Sequence, residues 1–331
     1  MNDALLVIVV AVALVFDFTN GFHDTANAIA TSVGTRAMTP RVAVLVAAVM
    51  NLAGAFLTTA VAKTVGKDLI DTHLATQQTI LAALVGAIAW NLLTWYFGLP
   101  SSSSHALIGG LIGAAFAASG SGAVEWTSVL GKVVIPALAA PLIAFGAAFT
   151  LLLVLYWLFR WVTPGAGNRG FRLGQIASSA WVSFNHGAND AQKTMGVIAF
   201  ALVLHRHGNP EELSVATWVK IAAGLAIALG TYAGGWRIIR TLGQRIYSME
   251  PAQGFAAQTA AGATIYLATK YGYPLSTTHV VSGSVMGAGA TRRLSAVRWG
   301  VAASIVTAWL LTIPAAACVA AAFYWPIQGL L

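Results

Sequence analysis

Two polar clusters stand inside apolar runs of this chain. The first holds Asn20, His23, Asp24, Thr25 and Asn27; the second holds Asn185, His186, Asn189, Asp190, Gln192 and Lys193. A carboxylate at the centre of a bilayer costs about 2.5–3.5 kcal/mol on insertion scales. Asp24 and Asp190 therefore call for a positive partner: a proton, Na⁺ or a metal. Two hydroxyl runs accompany them, residues 100–105 (P-S-S-S-S-H) and 274–279 (P-L-S-T-T-H), each just before a Gly-rich apolar run. Ser and Thr favour helix N-caps, and a helix N-terminus offers free N–H donors with about half a positive charge. Such ends bind oxyanions. Ser102, Ser103, Ser104, Ser276, Thr277 and Thr278 are thus candidate ligands for a tetrahedral anion, with Thr25, Asn27 and Asn189 completing the cage.

Positioning these groups requires a membrane bundle. Of 331 residues, 58% are hydrophobic and 8% charged, against about 25% charged in soluble domains. The formal charge of +8 comes from arginines that lie mostly between apolar runs. That pattern fits membrane topology and excludes nucleic acid as a partner; the partners are membrane lipid and a small anion. The N-terminal run has no basic leader and no clear A-x-A cleavage site before its polar break, so it reads as a span rather than a cleaved signal. Cys318 stands alone, which excludes an internal disulfide or cysteine metal site.

Ten apolar elements are expected, at 4–35, 41–62, 76–98, 103–119, 129–160, 172–205, 214–236, 251–271, 278–291 and 296–325. Breaks are expected near 20–24, where Gly21 lies, and near 185–190. The second five elements repeat the first. Aligning Asp24 with Asp190 brings Phe18 onto Phe184 and Gly21 onto Gly187; aligning His105 with His279 brings Gly98 onto Gly272 and Pro100 onto Pro274. Five elements per half is odd, so the halves insert in opposite senses. The expected fold class is an all-α membrane protein of two inverted-topology repeats, with broken helices and re-entrant-type half-helices meeting near the midplane. The repeats are residues 1–162 and 173–331, joined by a cytoplasmic linker at 163–172.

Loop charge orients the bundle. With the N-terminus outside, the inner connections carry Arg36, Arg41, Arg160, Arg169, Arg172, Arg237, Arg240, Arg245, Arg292, Arg293 and Arg298. The outer ones carry Lys63, Lys67, Lys132 and Arg206. The positive-inside rule then puts both termini on the outer side.

The aspartates conflict with an anion site unless a cation travels too. Asp24 and Asp190, helped by Asn27, Asn189 and His23, are the expected coupling-ion residues. Lys193 stands where the first half has Asn27. Its ammonium can replace a coupling cation beside Asp190, which argues for protons over a second sodium. Asp17 faces Ser183 in the alignment and reads as structural. His105 and His279 read as capping or interhelical residues. His205 and His207 form an H-x-H in a loop without further ligands.

These motifs resemble the PiT family of inorganic phosphate transporters, notably its bacterial low-affinity members. The resemblance rests on N-G-F-H-D-T-A-N at 20–27, residues 98–105, H-G-A-N-D at 186–190 and residues 274–279. It implies uptake of inorganic phosphate, including as a metal–phosphate complex, across the bacterial inner membrane by symport with H⁺ or Na⁺. It also implies a homodimer, no resident cofactor and no enzymatic activity. Phe22-His23 and Ala191-Gln192-Lys193 depart from the common signature, which leaves H⁺ and Na⁺ open. A sulfate symporter of the same fold and a passive anion channel are the alternatives. An intramembrane Ser–His hydrolase is a further one, but no G-x-S-x-G stands in the chain.

Overall fold

A computed structural model describes residues 3–247 and 249–330, and among these no strand occurs. The chain opens with α1 (Asp3–Gly34), α2 (Pro40–Gly54), α3 (Ala60–Lys67), α4 (Gln77–Phe97) and α5 (Ser103–Ser119). Next come α6 (Trp126–Val129), running through a π turn into α7 (Ile135–Leu158), and the long α8 (Pro164–His205). The second series is α9 (Thr217–Ala233), α10 (Trp236–Arg240), α11 (Pro251–Lys270), α12 (Thr277–Ala290) and α13 (Trp299–Leu330). Among the described residues four helical stretches, Asp3–Gly34, Gln77–Phe97, Trp126–Leu158 and Trp299–Leu330, are long and apolar enough to cross a membrane. Large apolar side chains such as Leu138, Leu142, Ile143 and Leu310 point outward, as a lipid-facing surface requires.

Local chemistry sets the ends. Pro40, Pro164 and Pro251 each open a helix, where a missing N–H costs nothing. Gly98 and Gly272 take φ of 66° and 75° after α4 and α11, and the chain turns there into α5 and α12. At 17 and 14 residues, those helices span about 26 and 21 Å, short of a hydrocarbon core of about 30 Å.

Several expectations need correction. Neither α1 nor α8 is broken: helix runs unbroken through 20–24 and 185–190. Gly21 and Gly187 serve close approach instead. A Cβ on Gly21 would lie 2.4 Å from the Ile227 carbonyl oxygen, and one on Gly187 would lie 2.1 Å from that of Asn51. Their backbones thus touch α9 and α2. The run 41–62 is two helices, and 214–236 ends where α10 begins. Residues 164–172 of the expected linker are the first turns of α8.

The packing comes in exchanged pairs. α1 lies on α9 as α8 lies on α2; α5 lies on α13 as α12 lies on α7; α4 meets α13 as α11 meets α7. α1 and α8 cross antiparallel: Thr35 bonds Gln175, Ser179 bonds the Ala28 carbonyl, and His205 meets Asp3. Two apolar cores flank this crossing. One takes Ala13 and Phe16 with Ala191 and Met195; the other takes Ala26 and Ile29 with Val182. The polar stretches of α1 and α8 fall between them.

Candidate functional site

Helical spacing aligns the polar groups of each long helix. Residues three and four apart share a face, so Asn20, Asp24 and Asn27 form one stripe and His186, Asp190 and Lys193 another. All six are buried. The hydroxyl runs supply the facing walls. Ser102 caps α5 by accepting from the His105 amide at 3.1 Å, and Ser276 caps α12 by accepting from the His279 amide at 3.3 Å. The amides of the first helical turn have no intrahelical partner, and those of Ser103, Ser104, Thr277 and Thr278 stand at these two tips.

The contacts mirror each other. Ser103 Oγ lies 2.6 Å from both Asp24 Oδ2 and Asn20 Oδ1. Its counterpart Thr277 Oγ1 lies 3.4 Å from Asp190 Oδ2. Asn27 Nδ2 donates to Thr278 Oγ1 at 2.9 Å; its counterpart Lys193 donates through Nζ to Ser104 Oγ. His23 Nε2 sits 3.0 Å from Thr94 Oγ1, and its counterpart Asn189 donates to Thr269 Oγ1 at 2.8 Å. Each half therefore reaches into the other's hydroxyl run through Asn27 or Lys193, and braces its own α4 or α11 counterpart helix through His23 or Asn189.

The charges differ between the halves. Asp190 is paired with Lys193 Nζ, which also donates to the Leu275 carbonyl at 2.9 Å. His186 Nε2 lies 3.1 Å from Asp190 Oδ2. Asp24 meets His23 Nδ1 at 2.8 Å, Ser103, and Thr278 at 3.4 Å, but among the described residues no lysine or arginine. Ligand atoms of Asp24, His186 and Asp190 all lie within 4.8 Å of one another. Two acids separated by 166 positions in the chain thus face a shared volume, together with a histidine.

The structure gathers most of the expected site residues. Asp24, Asn27, Ser103, Ser104, Asp190, Lys193, Thr277 and Thr278 meet; Ser102 and Ser276 stand beside them as caps. Thr25 does not join: its hydroxyl donates to the Gly21 carbonyl at 2.6 Å and also approaches the Thr231 carbonyl at 3.2 Å. That ties it to the α1–α9 contact rather than to a cage. Asn189 and His23 brace helix ends, with His23 also touching Asp24. His186 and Asn20 belong to the site, although the sequence reading placed them in the polar clusters without giving them a ligand role. Each lies four residues before an aspartate, a signal masked by the expectation of broken helices. His105 and His279 meet edge to face with ring centroids 4.7 Å apart, and Trp309 stacks on His279 at 4.0 Å.

A profile of the Phosphate transporter family matches residues 20–320. The chain belongs to the phosphate transporter family. Among relatives of this transporter family member, a Mycobacterium leprae (strain TN) protein is 51% identical over 99% of this chain and 79% of its own length. A Rhizobium meliloti (strain 1021) protein is 49% identical over 97% and 96%, and one from Bacillus subtilis (strain 168) 45% identical over the same shares. Each is named a probable low-affinity inorganic phosphate transporter. A solved structure titled "The sodium-dependent phosphate transporter" superposes with a TM-score of 0.90 at 26% identity, covering 99% of this chain and 100% of that one. This family member is an integral membrane protein and not an enzyme, since its relatives are named as transporters.

Proposed function

We propose that this chain is a secondary active symporter for inorganic phosphate, built on two inverted repeats, residues 1–162 and 173–331, with the 163–172 segment between them inside the cell. The observation that carries the reading is the meeting of Asp24, His186 and Asp190 within 4.8 Å, ringed by the hydroxyls of Ser103, Ser104, Thr277 and Thr278. The exchanged helix pairs and the antiparallel α1–α8 crossing support the inversion. The short α5 and α12, each entered through a left-handed glycine, act as re-entrant-type half-helices. The basic inner connections support a bacterial inner-membrane location with both termini outside.

In this reading the tips of α5 and α12 hold phosphate through hydroxyls and free amides. Lys193 cancels Asp190 from within the protein and adds a positive charge near the anion. Asp24 has no such fixed partner, so the mobile cation binds on its side. A divalent metal travelling with phosphate fits the two carboxylates and the imidazole; the likeness to a sodium-dependent phosphate transporter instead favours Na⁺.

Phosphate uptake into proteoliposomes tests this, with imposed H⁺ or Na⁺ gradients and with or without Mg²⁺ or Mn²⁺. Accumulation should require one gradient, and sulfate should compete poorly. Flux that ignores every gradient would establish a channel instead.

A further inference from the structure

Asp17 stands apart from the groups used above. It is buried on α1, and among the described residues neither of its carboxylate oxygens has a close hydrogen-bond partner. Asn20 on α1 and Thr194 on α8 are polar groups that act on it, and the charges of Asp190 and Lys193 reach it from α8. The Thr194 hydroxyl is buried and, among the described residues, likewise makes no close hydrogen bond. α4 carries no charged residue, and the charged residue of α9 is Lys220, which is partly exposed. A bare carboxylate cannot stay ionised in such a place without compensation.

Its position gives that compensation a purpose. Asp17 lies seven residues, about two turns, before Asp24, and Thr194 lies one turn after Asp190. Both are displaced toward the end of the bundle where Asp3 meets His205, the outer end in the proposed orientation. We propose that Asp17 and Thr194 form a second site for a single positive charge, on the outer side of the Asp24–Asp190 pair. A cation arriving from outside binds there before phosphate is closed in. In the structural alternative Asp17 is a helix-packing hydrogen bonder, yet Asn20 and Thr194 stand near it without either making a close hydrogen bond to its carboxylate.

The inference rests on the transport reading, and the test separates the two. Wild type, Asp17→Asn, Asp17→Glu and Thr194→Val are reconstituted at equal amounts. Phosphate accumulation and phosphate–phosphate exchange are measured across pH and Na⁺ concentration. If the charge is a proton, Asp17→Asn mimics the protonated acid. Exchange then stays within about twofold of wild type and loses its pH dependence, while accumulation falls at least about tenfold. If the charge is Na⁺, Asp17→Asn raises the Na⁺ concentration for half-maximal exchange by about tenfold or more, with pH having little effect. Asp17→Glu restores function in either case. Unchanged accumulation and unchanged ion dependence in Asp17→Asn would overturn the second site and leave the transport reading intact. A wild-type protein that moves no phosphate overturns both. Should Asp17→Asn fail to reach the membrane, Thr194→Val decides: a several-fold shift in ion dependence supports the site, and none refutes it.

Discussion

The two halves of this site are nearly the same object with different charge. Asp24 with Ser103 matches Asp190 with Thr277, and Asn27 with Thr278 matches Lys193 with Ser104. The exchange of Asn27 for Lys193 changes the chemistry most. In the second half a buried ammonium is built into the wall; in the first an amide makes the equivalent bond and leaves Asp24 facing neutral donors and His23. A site duplicated in form thereby becomes asymmetric in charge. One acid is already paired with an ammonium, and in the proposed reading the other takes the travelling cation.

Breaking the built-in pair should have the largest effect. Asp190→Asn leaves Lys193 buried and uncompensated, at a cost of about 3–5 kcal/mol. The double variant Asp190→Asn/Lys193→Met should recover much of that stability without recovering accumulation. Thermal unfolding in detergent, set beside uptake, checks both halves of the statement. The close helix contacts come next. Gly21→Ala or Gly187→Ala pushes α1 from α9 or α8 from α2, and overpacking of this kind costs about 1–3 kcal/mol. The two substitutions should lower the unfolding midpoint by similar amounts, because their contacts are equivalent.

Making the halves alike sharpens the comparison further. Lys193→Asn removes the fixed charge, so Asp190 then needs a mobile cation as well. Uptake should depend more steeply on cation concentration and need about tenfold more of it. Thr25→Val should do least. The Thr25 hydroxyl is spent on backbone carbonyls, so its loss should cost about 1 kcal/mol of stability and leave the phosphate KM near wild type.

Much of this was legible in the sequence. Intramembrane acids, the hydroxyl runs and the alignment of Asp24 with Asp190 and of His105 with His279 pointed to the residues that meet. Hydropathy alone found the main spans. It could not tell a glycine that breaks a helix from one that admits a neighbouring backbone, since both reduce side-chain volume in an apolar run. That ambiguity at Gly21 and Gly187 hid the i, i+4 relation of Asn20 to Asp24 and of His186 to Asp190. Thr25 misled for a related reason: its residue type fits a polar cage, but only three-dimensional contact shows its hydroxyl turned back onto α1 and α9. Asp17 was set aside for want of an acidic counterpart, although its meaning lies in a buried carboxylate left without a close hydrogen bond.

The central claim, that Asp24 carries the mobile charge beside a phosphate held by the two helix tips, is tested most directly by gradient-driven phosphate uptake. Wild type and Asp24→Asn are compared in proteoliposomes holding equal amounts of folded protein. Wild type should concentrate phosphate only when the cation gradient is imposed, and Asp24→Asn should lose at least about a hundredfold of that accumulation. Gradient-driven accumulation at the wild-type level by Asp24→Asn would contradict the account.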